Sequence, residues 1–170
     1  MQSGDPSFID TRVAIRTSPI AGKGMVALAL ICEGEVVLRW GGAFLTQREL
    51  RGRELSGKIV IQVDDDLWSI EERSSPEDDA YFVNHHCDSN FWMTDGRTFV
   101  TRRDSAAGEE ITVDYALFES ESYRARWTCL CGSPLCRTII TGKDYLLPEL
   151  QKRYRGHFSP VIEKKLAQRI

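Results

Sequence analysis

Three cysteines within eight residues constrain this chain more than any other feature. In Trp127-Thr128-Cys129-Leu130-Cys131-Gly132-Ser133-Pro134-Leu135-Cys136 the thiols follow C-x-C-x4-C. The chain carries five cysteines, an odd number, and the polar stretch Met1 to Asp10 has no apolar core of an export signal, so a disulfide framework is a poor reading. Crowded thiolates are soft ligands for Zn²⁺, and Gly132 and Pro134 permit the tight turns that aim three sulfurs at one point. A closed tetrahedral site needs a fourth donor. Cys87, Cys32, His85, His86 and His157 are the candidates, and each requires a distant segment to return to the cluster.

The remaining composition sets the frame for that return. A length of 170 residues suits one ordinary domain, and 42% apolar with 28% charged residues is a soluble globular balance. The longest apolar run, Met25 to Cys32, is eight residues, whereas a spanning helix needs roughly 20. No membrane span is expected, and the chain is read as intracellular, either cytoplasmic or nuclear. A net charge of −3 argues against direct binding of a phosphate backbone. The charge is uneven. Gln62 to Ala80 holds eight acids and one arginine, net −7, whereas Arg137 to Ile170 holds eight bases and three acids, net +5. An acidic stretch is usually a solvated loop, and it can also attract a basic polypeptide.

Up to about residue 115 the sequence reads as short strands and turns. Val13 to Arg16, Glu35 to Trp40, the alternating Lys58 to Val63, Phe99 to Arg103 and Ile111 to Tyr115 are strand candidates. Thr46 with Glu49 three residues on is a capping box that opens a short helix, limited by Gly52. The tail changes to helix, starting at Leu147-Pro148-Glu149 and again at the Ser159-Pro160 cap. Ile162, Leu166 and Ile170 then form one stripe, which packs on the domain or, alternatively, forms a homodimer contact. Cys32, in its apolar setting, is expected to be a buried thiol.

Three further segments stand out. They are Ile20-Ala21-Gly22-Lys23-Gly24-Met25, Tyr81-Phe82-Val83-Asn84-His85-His86-Cys87-Asp88-Ser89-Asn90 and Gly108-Glu109-Glu110-Ile111-Thr112-Val113-Asp114-Tyr115. Each alone is weak: a turn, a hydrogen-bonded pair, a strand end. In this order, ahead of C-x-C-x4-C, they resemble the SET-domain protein lysine methyltransferases over about residues 11 to 141. The resemblance implies a mainly β fold with short helices, several small sheets and a knot-like crossing of the Asn84 and Tyr115 segments. It implies a SET domain over 11–115, a zinc-bound post-SET segment over 125–141 and a helical extension over 142–170. It also implies S-adenosyl-L-methionine as cofactor, held by Lys23, Gly24 and Met25, by Asn84 and His85, and by Tyr81, with Trp127 and Leu130 over the adenine. Tyr115 is the implied catalytic residue, Val113, Tyr115 and Phe118 the implied lysine channel, and Cys87 the implied fourth ligand of one structural Zn²⁺ beside Cys129, Cys131 and Cys136.

The residue types suit that chemistry. Transfer of methyl from a sulfonium to an amine needs alignment, worth roughly 7–11 kcal/mol. It also needs a neutral lysine, which at a free pKa of about 10.4 costs about 4.6 kcal/mol at pH 7. An apolar channel beside a positive charge lowers that cost, and a tyrosine both walls the channel and orients the amine. The chain departs from the family pattern at several positions. His86 stands for a small serine, Ser89 for a frequent proline, Trp40 for a tyrosine, Ala43 for a glutamate, and Val113 for an aromatic that influences how many methyl groups fit. The substrate expected is a lysine in a basic peptide or histone-like tail. Two other readings are a SET-like module that binds basic peptides without catalysis, and a zinc-ribbon nucleic-acid binder.

Overall fold

Short alternating runs, each closed by a turn, produce many small strands. A computed structural model describes residues 6–55, 58–72, 80–120 and 123–169. In chain order the elements are β1 (Phe8–Ile9), β2 (Val13–Thr17), β3 (Lys23–Ala27), β4 (Val36–Arg39), β5 (Ala43–Leu45), α1 (Gln47–Leu50), β6 (Lys58–Asp64) and β7 (Leu67–Glu72). Then follow β8 (Asn84–His85), β9 (Phe91–Met93), β10 (Thr98–Thr101), β11 (Glu110–Val113), α2 (Pro148–Arg153) and α3 (Pro160–Ala167), with single 3-10 turns at Tyr115–Leu117 and Asp144–Leu146. The fold is mainly β with short helices, as expected. The strand candidates are all present, but the strand expected to reach Tyr115 stops at Val113 and hands over to a 3-10 turn capped by Asp114.

The larger sheet runs β1-β4-β10-β9-β11-β3-β2, with β8 also on β11, and β5-β7-β6 form a second sheet. β11 is the hub. Its first half pairs antiparallel with β3 (Ile111 with Met25), and its second half pairs parallel with β8 (Thr112 with Asn84, Val113 with His85). That ladder lays the Gly24, Asn84 and Tyr115 segments side by side. Asn90, fully buried, locks the same place: its amide nitrogen donates to the Glu110 carbonyl at 3.0 Å and its Oδ1 accepts from the Thr112 N–H at 2.9 Å.

The core spans the sheet and the tail together. Met25, Leu38, Trp40, Phe91, Phe99, Ile111 and Leu117 pack with Tyr145, Leu150, Tyr154, Phe158 and Ile162. α1 has the full capping box of Thr46 and Glu49. α3 starts on Ser159, whose side chain accepts from Ile162 N–H and whose own N–H donates to the Leu117 carbonyl at 2.8 Å. Ile162 is buried and Leu166 packs against the core, so these two members of the stripe serve the domain itself; Ile170 lies outside the described residues. No helix among the described residues is long and apolar enough to cross a membrane.

Cys32 departs from expectation: it is exposed. β3 ends at Ala27, and Ile31 alone turns inward, bridging to Ser105. With a side-chain period of two, its neighbours Leu30 and Cys32 face solvent.

Candidate functional site

Four cysteine sulfurs converge. The Sγ atoms of Cys87, Cys129, Cys131 and Cys136 all lie within 4.8 Å of one another, and Cys87 and Cys129 are 3.9 Å apart. Four sulfurs around a tetrahedral ion with bonds of about 2.3 Å sit about 3.8 Å from each other, so the cluster fits a metal ion. Of the open candidates, Cys87 supplies the fourth thiol. His86 instead directs Nε2 to the Cys131 carbonyl at 2.9 Å, and His157 stacks on Trp92 with Nδ1 3.0 Å from the Met93 carbonyl. Burial pushes the Cys87 thiol well above its ordinary value and Cys129 to about 11. At Cys136 burial is outweighed by hydrogen bonds, above all from the Thr138 N–H, and the thiol is held below its ordinary value.

His85 joins this cluster to Tyr115. It is buried, and desolvation lowers it to about 4. The ring is therefore neutral at pH 7. Its Nδ1 accepts from the Tyr115 N–H at 3.2 Å, which leaves Nε2 carrying the hydrogen toward Cys87 Sγ at 3.2 Å. Sequence reasoning had missed a second link. Arg137, one residue past Cys136, clamps Asp114 with both terminal nitrogens (Nη1 2.7 Å, Nη2 2.6 Å), holds Asp144 through Nε at 2.8 Å, and donates its backbone N–H to Cys87 Sγ at 3.3 Å. The Tyr154 hydroxyl also donates to Asp114, at 3.2 Å, and Arg153 donates to the Cys87 carbonyl at 2.8 Å. Asp114 in Asp-Tyr was the only signal for this network, and its partner lies 23 residues away.

Tyr115 stands at the end of this support. Its ring lies 5.1 Å from His85, 5.5 Å from Phe118, 6.1 Å from Tyr123 and 6.4 Å from Trp127, centroid to centroid. Its hydroxyl donates to the Val83 carbonyl at 3.2 Å, and burial raises it above its ordinary value, so at neutral pH it is a phenol. Val113 is buried one register step away, beside His85. Trp127 is half-exposed, and Leu130 is 86% exposed.

A second group sits along β3. Asn84 Nδ2 reaches Glu110 Oε1 (2.7 Å), the Lys23 carbonyl (3.0 Å), Ser18 Oγ (3.1 Å) and the Ala21 carbonyl (3.3 Å). Gly24 is needed for this: a Cβ there would collide with Glu110 and with Asn84 Nδ2. The space over Gly24 holds the Glu110 carboxylate and the Asn84 amide. Lys23 places its ammonium over Phe82 at 5.7 Å. Tyr81 is turned away from this group, stacked on Trp40 with its hydroxyl 3.1 Å from Glu71 Oε2.

The acidic stretch is partly spent internally. Asp64 pairs with Lys164 at 2.8 Å, Asp66 accepts from the Gln47 N–H at 2.8 Å, and Glu71 holds Ser7. Residues 73–79 of the stretch lie outside the described residues. Glu119 differs. Desolvation alone raises its carboxyl to about 7. A carboxyl raised by burial is neutral and harmless below its unfolded value of 4.5, and it costs stability progressively as pH climbs from there to about 7. Glu119→Gln is therefore expected to gain about 2 kcal/mol at pH 8 and nothing at pH 4. Urea unfolding at the two pH values checks this, and an equal effect at both would contradict it.

The SET domain family matches residues 22–116, more than half of the chain. Among curated relatives, the "Histone-lysine N-methyltransferase, H3 lysine-4 specific" of Mycosarcoma maydis is 30% identical over 137 residues, 72% of this chain and 9% of that protein. "Histone-lysine N-methyltransferase set1" of Dictyostelium discoideum is 31% identical over 143 residues, 76% and 9% respectively. "Histone-lysine N-methyltransferase ash1" of Drosophila melanogaster is 28% identical over 138 residues, 72% and 6%. The chain thus spans less than a tenth of the length of these relatives. The matched range takes in the hub strand with all its partners in register and closes just past Tyr115: this chain belongs to the SET-domain family.

Proposed function

We propose that the chain is an S-adenosylmethionine-dependent protein lysine N-methyltransferase acting on a lysine in a basic polypeptide, with histone tails the class that the relatives' names suggest. One observation carries this reading. Tyr115 is walled by four rings, and its hydroxyl is held on the Val83 carbonyl, one residue before the Asn84-His85 strand that pairs with β11.

The donor set along β3 fits the cofactor. The Lys23 and Ala21 carbonyls, Ser18 Oγ and the Glu110 carboxylate, gathered around the Asn84 amide nitrogen, are acceptors that suit an α-ammonium group, and the exposed Trp127 and Leu130 offer apolar faces to a purine. Gly24, Met25 and His85 complete that wall in this reading, with Tyr81 supporting Trp40 behind it. The cofactor, when bound, supplies a methyl group made electrophilic by its sulfonium. The chain's own residues exclude water and hold the amine in line. Because the Tyr115 O–H is donated to Val83, its oxygen keeps lone pairs free to accept from the amine or from the polarised methyl. As a phenol at neutral pH it positions the amine and does not remove the proton. The smaller Val113 and the nearby Tyr123 set the width of the channel, with Phe118 on its far side.

In the same reading Cys87, Cys129, Cys131 and Cys136 hold one structural Zn²⁺, residues 125–141 are the post-SET segment, and 142–170 is a helical extension whose tyrosines complete the core. The reduced thiols suit an intracellular setting.

Calorimetric titration with S-adenosylmethionine is expected to show saturable binding near one per chain. Tyr115→Phe is expected to keep that affinity and to slow methyl transfer to core histones by on the order of 100-fold. Unchanged turnover in that variant would remove the role given to Tyr115. Absence of cofactor binding in folded, zinc-replete protein would favour the non-catalytic peptide-binding reading.

A further inference from the structure

A cavity of about 340 Å³ opens beside the Tyr115 enclosure. Val60, Ile61 and Gln62 of β6 and Trp68 of β7 form one wall, the segment Phe118 to Ser120 another, and Lys165 of α3 its rim. Phe118 separates this cavity from Tyr115 and touches both. Two polar groups here lack partners among the described residues. The Trp68 indole Nε1 is buried with no acceptor. Among the described residues no hydrogen bond or ion pair reaches the Glu119 carboxylate, which is largely desolvated. Lys165 has a partner of its own and does not neutralise it.

A buried donor without an acceptor and a desolvated carboxylate without a cation both cost free energy in the isolated domain. They are complementary to one kind of ligand: a residue that brings a main-chain carbonyl and a positive charge a few bonds apart. We propose that this cavity is a subsite for a basic side chain of the polypeptide substrate, with Glu119 as its counter-ion and the Trp68 N–H as donor to its backbone. The subsite rests on the transferase reading for its biological meaning, since it would select a lysine or arginine next to the residue presented to Tyr115. Among the described residues the other titratable groups around Glu119 are Lys165 and the hydroxyls of Tyr115 and Tyr123. Both tyrosines are pushed up, by burial first and by Glu119 in addition, so they stay neutral while the carboxylate ionises near neutrality.

The test uses Nα-acetyl-lysine N-methylamide as probe and its norleucine analogue as the uncharged control, followed by NMR of the full zinc-loaded chain. Wild type is expected to show saturable shifts at Phe118 to Ser120 and at the Trp68 indole, stronger at pH 8 than at pH 6. Glu119→Gln is expected to weaken the lysine probe at least tenfold and to leave the norleucine analogue unchanged. Trp68→Phe, which keeps the ring wall and removes the donor, should weaken both probes by a similar smaller factor. Equal affinity of wild type and Glu119→Gln for the lysine probe, or shifts confined to other parts of the chain, would overturn the proposal. Titration of the same samples with S-adenosylmethionine reports separately on the transferase reading, so the two can fail independently.

Discussion

Cys87→Ser is expected to reduce bound zinc from one per chain to well below half, and to cost the fold more than any other single substitution considered. Cys87 is the thiol of the cluster that joins two distant parts of the chain, 42 residues before its neighbour Cys129. Structural zinc contributes on the order of 10 kcal/mol or more of apparent binding free energy to small domains, and a three-thiolate remnant keeps only a part of it. The loss is compounded locally, because the His85 N–H and the Arg137 backbone N–H both point at the Cys87 sulfur. Elemental analysis together with thermal unfolding measures both effects. Zinc retained at full occupancy in the variant would show that the ion uses another donor. Acid should act in the same direction. The buried Cys87 and Cys129 thiols stay protonated at neutral pH in the absence of a cation, so metal binding releases protons and affinity falls as pH drops.

Arg137→Met is expected to destabilise the protein by about 3–5 kcal/mol, as breaking one side of a buried ion pair does. Asp114 has no exposed side-chain surface, and Arg137 is 11% exposed. Deleting the guanidinium strands two carboxylates, Asp114 and Asp144. The double variant Arg137→Met with Asp114→Asn should recover part of the loss, since a neutral amide needs no counter-ion and can still accept from the Ala116 N–H as Asp114 does. Denaturant titrations of the four proteins give the coupling energy. Additive single effects would mean that the two residues contribute separately. Arg137→Met should also lower zinc affinity, because the side chain sets the path of the backbone that donates to Cys87.

How much of this was legible in the sequence follows from the range of each interaction. Thr46 with Glu49 and Ser159 with Pro160 are local signals, and the helices begin where they say. The three clustered thiols announced a metal cage by density alone, but their spacing could not choose among five candidates for the fourth vertex. The resemblance made that choice, and the convergence of sulfurs agrees with it. β8 has two residues and β9 three, too short for any alternation to be seen, and Phe91-Trp92-Met93 shows none. They are strands because β11 offers them a ladder, which is a property of the assembled sheet. Cys32 was misread for the opposite reason: its apolar setting suggested a buried thiol, whereas β3 ends at Ala27 and in the stretch that follows only Ile31 points inward. Asp114 and Arg137 could not be paired from sequence, since neither carries a periodicity and each has many charged alternatives. Glu119 and Trp68 belong to the same class, because only the folded arrangement shows that neither side chain has a partner among the described residues.

The shared core of sheet and tail has a consequence for how the protein is made. Leu117, whose carbonyl takes the Ser159 N–H, and the hub strand that precedes it pack against Tyr145, Tyr154 and Ile162, contributed by the last part of the chain. During synthesis the segments holding Asn84 and Tyr115 leave the ribosome long before those residues do. Until Ile162 has emerged, the nascent chain exposes the face of Leu117 and Ile111 and has no closed wall around Asp114. The wall around Asp114 and the apolar face of the hub strand therefore close only once the helices that seal them have been made.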